Sequence, residues 1–369
     1  MSVTYRDYGK WNFFNTYVDT NPGDSPPDSA FKVTKLTSTQ MEVSVSFQGF
    51  NISLSYLGQI DLSRLTTSIN TLEDVGIARA QGTLTGTIQS SLAKVDGENA
   101  ALLTTSPGKS LDDFDVIFSN TDLAAMKRVL TGDDTYITSS GAGDSNSYFL
   151  YDGNDTLYHN HILLKYNDLF YGGNGRDTVV FDKASTGFTI KAGSVWNQLT
   201  QKSDLTGFTV TDKNKVINTL QVNQVERLKF SDTNVALDIA PTDNAGSVYM
   251  LYKAAFNRAP DAGGMGYWLS SKDKGADIVT SLAQGFIGSK EFTDKYGTNP
   301  NNASYVDKLY QNVLDRPGES GGVTYWNQEL DAGRISKAAV LVQFATLAEG
   351  ATKVASLIAN GIPYTEYVG

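Results

Sequence analysis

Gly172-Gly173-Asn174-Gly175-Arg176-Asp177-Thr178-Val179-Val180 satisfies every specified position of the nonapeptide G-G-x-G-x-D-x-U-x, the turn-and-strand unit of a parallel β-roll. Glycine adopts backbone conformations that other residues avoid. The first six residues can therefore bend so that carbonyls and the Asp177 carboxylate face one point. The last three form a short strand, with Val179 directed inward. A calcium ion takes six to eight oxygens, and one such turn supplies about half of them. Ions are therefore expected between stacked turns.

The flanking sequence carries weaker copies. Asp168 precedes Asp177 by nine residues with Phe170 in the inward position, although Leu164-Lys165-Tyr166-Asn167 replaces the glycines. Gly153-Asn154-Asp155-Thr156-Leu157 and Gly132-Asp133-Asp134-Thr135-Tyr136 keep the second half of the motif, and Gly141-Ala142-Gly143-Asp144 is looser. The candidate ligands are Asp134, Asp155, Asp168, Gly172, Asn174 and Asp177, enough for one to three ions. The competing reading is a Gly/Asp-rich loop region that holds no metal.

Outward from this segment the texture changes on both sides. On the N-terminal side, Met41, Val43, Val45 and Phe47 alternate with polar residues, and Ile52, Leu54 and Tyr56 repeat the pattern, the period of a half-buried strand. Gly82 to Ile88 reads as strand, and Asp122 to Leu130 as a short helix capped by Asn120 or Thr121. On the C-terminal side, Phe188, Ile190, Phe208, Val210, Val216, Leu220 and Val222 lie in short alternating runs, and Pro241 to Asn244 reads as a linker.

Beyond the linker the period becomes helical. Val248, Leu251, Tyr252, Ala255 and Phe256 form one apolar face, as do Val306, Leu309, Tyr310, Val313 and Leu314. A shift of 58 residues maps Val248, Leu251, Tyr252, Arg258, Gly263, Gly264, Tyr267, Trp268, Gly275 and Phe286 onto identical residues without a gap. Each unit reads as a helix, a tight Gly turn, an aromatic helix and a third helix after a Gly stop. Arg258 and Arg316 end the first helix of each unit, where they can pair with Asp261 and Glu319.

The predicted architecture is multidomain. Residues 1–125 form a mainly-β region and residues 126–185 a short β-roll-like segment. Residues 186–241 form a trailing β-rich segment, and residues 242–369 an all-α pair of helical repeats.

Composition narrows the function. Lys+Arg number 30 against 40 Asp+Glu, a net charge of −10, which repels phosphate backbones and excludes nucleic acid as an expected partner. The 40 acidic residues suit divalent cations. There is no cysteine, so neither disulfides nor thiolate zinc is expected. The start, Met1 to Tyr8, has no basic-then-apolar signal pattern, and no apolar run reaches the roughly 20 residues of a membrane span. The sequence has no HExxH helix, G-x-S-x-G elbow or P-loop. The pair of histidines, His159 and His161, is short of the three protein ligands of a catalytic zinc.

Residues 131–182 resemble the RTX, or haemolysin-type, calcium-binding repeats of bacterial proteins exported by type I secretion. Asp177 to Phe181, Phe208 to Asp212, Val225 to Asp232 and Val235 to Asp238 resemble the segment that trails such repeats. The helical pair, with Leu251-Tyr252, Phe256 to Asp261, Gly263-Gly264 and Tyr267-Trp268, resembles an uncharacterised repeat family found at the end of such proteins and in surface-layer proteins. The resemblance implies export in one step from a Gram-negative-type bacterium and folding on extracellular calcium. It also implies contact with cell-surface polysaccharide or lipopolysaccharide, or self-assembly. Residues 361–369 would then form part of the export signal. Tyr267, Trp268, Tyr325 and Trp326 are the candidates for sugar stacking, against their reading as repeated core residues. The expected role is structural or adhesive. The alternatives are a secreted glycan- or ester-directed hydrolase with its site in residues 1–125, and an exoprotein that captures a metal or cofactor through His159 or His161.

Overall fold

Alternation of apolar and polar residues builds the first sheet. The computed structural model describes residues 2–7, 32–47, 50–65, 68, 70, 85–95, 98–110, 132–137, 147–150, 152–159, 167–197, 202–213 and 219–369. Strand β1 is Ser2–Asp7, β2 Lys32–Leu36, β3 Gln40–Phe47, β4 Phe50–Asp61, β5 Thr85–Val95 and β6 Glu98–Ser110. Strands β2 to β6 form an antiparallel meander in chain order, and β1 lies antiparallel on β6. Met41 and Val43 face the core while Glu42 and Ser44 are half-buried, as their period-2 spacing dictates. The expected helix at Asp122 to Leu130, the turn at Gly141 to Asp144, and His161 lie outside the described residues.

The second half of this unit is a roll. Strands β7 (Thr135–Ile137), β9 (Thr156–His159) and β11 (Thr178–Phe181) pair in parallel, and β7 continues the first sheet by lying parallel to β1. Strands β8 (Ser147–Phe149), β10 (Asn167–Tyr171) and β14 (Thr219–Asn223) pair in parallel on a second sheet. That sheet also holds β12 (Phe188–Asn197) and β13 (Lys202–Asp212). Leu157, Val179 and Phe181 from one sheet and Phe170, Leu220 and Val222 from the other are buried. Phe181 stacks on Phe230 at 4.8 Å. One coil therefore spends two strands and two turns, so residues that stack upon each other are 21 or 22 apart, as in Thr135, Thr156 and Thr178.

The chain divides into two units: Met1–Thr189 with Gly193–Val225 and Lys229–Ser231, and Ile190–Ala192 with Glu226–Leu228 and Asp232–Gly369. The second unit is helical. Helices α1 (Asn244–Phe256) and α2 (Ala262–Asp273) have counterparts α5 (Asn302–Leu314) and α6 (Ser320–Asp331) displaced by 58 residues at both ends. A π-turn, Ile278–Ala283, runs into α3 (Gln284–Ile287), and α4 spans Lys290–Tyr296; α7 (Lys337–Ala345) and α8 (Ala348–Ile358) complete the second repeat. In the first repeat Asp277 caps the third helix through the Val279 and Thr280 amides; in the second, Ser336 caps it through Ala339. The cap is one position earlier in repeat units, and the π-turn absorbs the extra residue.

The duplication extends to individual bonds. Lys295 Nζ donates to the Phe256 carbonyl and Lys353 Nζ to the Leu314 carbonyl, both at 2.5 Å, closing the C-terminal ends of α1 and α5. Asn244 Nδ2 donates to Asp273 at 2.9 Å and Asn302 Nδ2 to Asp331 at 2.7 Å. Arg258 reaches Asp261 at 3.7 Å and Glu291 at 2.7 Å; Arg316 reaches Glu319 at 3.0 Å and Glu349 at 3.3 Å. The tight turn after the first helix is not made by glycine. Asn257 (φ 50°) and Asp315 (φ 53°) take the left-handed position, a role open to Asn and Asp. Gly264 and Gly322 lie inside α2 and α6, where a Cβ would stand 2.4 and 2.3 Å from the hydroxyls of Tyr252 and Tyr310.

Strands β15 (Arg227–Lys229), β16 (Asn234–Ala236) and β17 (Ile362–Tyr364) are the remaining described strands, with β17 antiparallel to β16. The Thr365 amide donates to the Ala262 carbonyl at 2.9 Å. Arg227, 5 % exposed, donates to Asp238 at 2.5 Å and to Asp273 at 2.8 Å. No helix among the described residues is long and apolar enough to cross a membrane.

Candidate metal centre

Three turns with the sequence Gly-x-Asp-Thr, at 132–135, 153–156 and 175–178, enter β7, β9 and β11. Parallel pairing of the strands that follow places Asp134, Asp155 and Asp177 in one column, with neighbours separated by roughly the 4.8 Å of adjacent strands. All three are buried, with Asp155 and Asp177 wholly so. Glycine is required at the head of each turn. Gly132, Gly153 and Gly175 have φ of 105°, 142° and 137°. A Cβ on Gly153 would stand 2.1 Å from the Gly132 carbonyl oxygen, and one on Gly175 1.8 Å from that of Gly153.

Within the column the Asp155 and Asp177 carboxylates each receive an amide from the neighbouring coil. The Asp134 N–H donates to Asp155 Oδ1 at 2.7 Å, and the Asp155 N–H to Asp177 Oδ1 at 2.8 Å. Asp155 Oδ2 is buried and has no hydrogen-bond partner among the described residues. Burial pushes the Asp155 carboxyl up from 3.8 to about 7. The Asp134 amide opposes this, and the charges of Asp134, Asp133 and Asp152 add to it. A second, exposed column flanks the first: Asp133 Oδ1 accepts from the Asn154 amide at 2.8 Å, and Asn154 Oδ1 from the Arg176 amide at 3.0 Å.

The remaining sequence candidates divide. Asn174 is exposed, donates to Asp152 Oδ1 at 2.7 Å and pairs with it across the coils. Gly172 is buried where a Cβ would meet both Asp177 Oδ2 and the Gln224 carbonyl oxygen at 2.3 Å. Asp168 is not in the column. It sits on β10, and its Oδ2 lies 3.7 Å from Nε2 of His159 on β9. The nine-residue spacing from Asp177 places Asp168 before the turn on the opposite sheet, not in a stacked turn. His159 is a buried strand residue rather than a solvated loop histidine; its ring stands edge-on to Phe181 at 5.5 Å, and neither nitrogen has a hydrogen-bond partner among the described residues.

The donor chemistry of the column fits a hard cation. It offers only carboxylate and carbonyl oxygens, one buried carboxylate oxygen without a donor, and glycine turns where any side chain would fill the space. Asp134, Asp155 and Asp177 would hold the ion, aided by turn carbonyls. Among the described residues no three His, Cys, Asp or Glu side chains gather closely enough to form a metal cage on their own, so carbonyls would have to complete any shell. The recurrence of Gly-x-Asp-Thr at intervals of 21 and 22 residues is the sequence signal that marks this column.

The four aromatic candidates also divide. Tyr267 and Tyr325 are 43 % and 53 % exposed, whereas Trp268 and Trp326 pack against the core at Phe286 and Phe344 with ring centroids 5.0 and 5.7 Å apart. Tyr367 adds a third ring beside Tyr267 at 5.0 Å.

No curated protein and no solved structure matches this chain. One family model does: residues 283–354, from the end of the π-turn of the first repeat into the last helix of the second, match the Domain of unknown function (DUF4214).

Proposed function

We propose that this chain is a secreted calcium-binding structural or adhesive protein of the bacterial surface or matrix, related to the RTX exoproteins. The observation that carries the reading is the column of Gly-x-Asp-Thr turns with a wholly buried Asp155. Three stacked carboxylates out of water repel one another, and a divalent cation removes that repulsion. In calcium-poor cytosol the roll would stay loose and suit passage through a type I export channel. Outside, calcium would favour the folded coils by mass action. The helical unit would make the surface contact, with the exposed Tyr267 and Tyr325 as candidates for stacking on sugar rings of polysaccharide or lipopolysaccharide.

The test is calorimetry with calcium and with chelator on the wild type and on Asp177→Ala. The reading expects saturable calcium binding in the wild type, weakened in the variant, with hydrogen exchange across 132–181 slowed by calcium. Equal heats for both proteins, or no heat at millimolar calcium, would count against it.

A further inference from the structure

The two helical repeats differ in what lies against their exposed tyrosine. Each tyrosine packs edge-to-face with the tryptophan that follows it, Tyr267 with Trp268 at 4.9 Å and 81°, Tyr325 with Trp326 at 5.0 Å and 67°. On α2 a second ring is added. Beyond β17 the Thr365 amide donates to the Ala262 carbonyl at 2.9 Å, and the Tyr367 ring comes to rest 5.0 Å from Tyr267 at an interplanar angle of 85°. Glycine makes this approach possible, because a Cβ on Gly266 would stand 1.7 Å from the Thr365 oxygen. A shift of 58 residues maps Gly266 onto Thr324, whose side chain bars the same path along α6. Among the described residues no ring other than Trp326 stands against Tyr325. Tyr325 keeps 53 % of its surface in solvent and Tyr267 43 %.

We propose that residues 365–369 form a strap over the sugar platform of the first repeat, so that the second repeat, at Tyr325, makes the first contact with a polysaccharide. The proposal rests on the reading of Tyr267 and Tyr325 as sugar-stacking residues. A pyranose laid on a tyrosine covers the ring face, and its equatorial hydroxyls reach beyond the ring edge. A second ring standing upright 5.0 Å from the centre of Tyr267 occupies that space. The perpendicular pair is a favoured arrangement of aromatic rings, so a sugar must displace Tyr367 rather than slip in beside it. The strap can yield. Residues 365–369 are exposed and lie outside any helix or strand, with Tyr367 itself 46 % exposed, the composition of a segment that opens at low cost.

The test titrates the full chain with a soluble neutral glucan and, separately, with purified lipopolysaccharide, followed by tryptophan fluorescence. In the wild type, Tyr325→Ala should lower affinity by about tenfold or more, and Tyr267→Ala by less than about twofold. Removing the strap ring with Tyr367→Ala should raise affinity by about tenfold, since a polymer then engages two platforms at once. In that background Tyr267→Ala should erase the gain. Tyr367 is exposed, so its truncation leaves the fold intact. Equal losses from Tyr267→Ala and Tyr325→Ala in the wild type overturn the strap while leaving the sugar reading in place. An unchanged or lower affinity in Tyr367→Ala does the same, because Tyr367 would then be a bystander or a wall of the site. No saturation by either probe, in the wild type and in Tyr367→Ala alike, overturns the sugar reading and the proposal with it.

Discussion

Replacing Asp155 by asparagine separates the two forces acting on the column, because it keeps the shape and removes the charge. The asparagine side chain would still offer Oδ1 to the Asp134 amide, which Asp155 now accepts at 2.7 Å. Without an ion, burial raises the Asp155 carboxyl from 3.8 to about 7. A raised acid contributes its stability in the neutral form. The contribution is complete below pH 3.8 and is lost as pH rises through 7. The gap of about three pH units, at ~1.36 kcal/mol each, sets an upper limit of about 4 kcal/mol on the penalty of the charged form. Relaxation of the turn and entry of water around the charge reduce it to roughly 2 kcal/mol. In chelator at about pH 8, Asp155→Asn should therefore be more stable than wild type by roughly 2 kcal/mol, and the advantage should vanish near about pH 4. In millimolar calcium the order should reverse, since the ion offsets the charge in the wild type and asparagine brings a weaker ligand. Urea denaturation followed by hydrogen exchange across 153–181 reads both arms. A variant that tracks wild type at every pH in chelator refutes the burial argument. A variant whose advantage is untouched by calcium refutes the ion.

Gly153→Ala should destabilise the roll by about 3 kcal/mol or more, since the new Cβ meets the Gly132 oxygen and φ is 142°; loss of exchange protection in 132–159 is the measurement. His159→Ala should cost about 3 kcal/mol by emptying the place of a buried ring that packs edge-on to Phe181; a fall in the urea midpoint reads it. Lys353→Met should cost about 1 kcal/mol by freeing the Leu314 carbonyl, with Lys295→Met matching it at Phe256, seen as paired falls in the melting temperature of the helical unit.

The helical duplication was legible in the sequence because each repeat carries the same apolar face at the same interval. The shift of 58 residues predicts more than helices: it maps Glu291 onto Glu349 and Lys295 onto Lys353, the partners that the Arg258 and Arg316 side chains and the α1 and α5 carbonyl ends turn out to use. The glycines of the shared motif were harder to interpret. Gly263-Gly264 has the composition of a turn, yet Gly264 serves a buried tyrosine hydroxyl inside a helix, a tertiary requirement that no local pattern carries. The left-handed Asn257 and Asp315 took the turn instead.

The roll shows why a correct motif can still give the wrong neighbours. A nine-residue repeat assumes that turn and strand alternate without insertion, so that Asp168 and Asp177 flank one coil. Here each coil takes 21 or 22 residues, more than two nonapeptides. The backbone then stacks residues one full coil apart, and the quantity that identifies partners is the interval between Gly-x-Asp-Thr turns rather than the length of the motif. On that interval Asp134, Asp155 and Asp177 share a column while Asp168 turns inward to His159. A buried polar pair inside the roll contributes little net stability against an apolar pair of the same volume. The columns of glycine and aspartate therefore hold the coils in register, and the interior has room to vary.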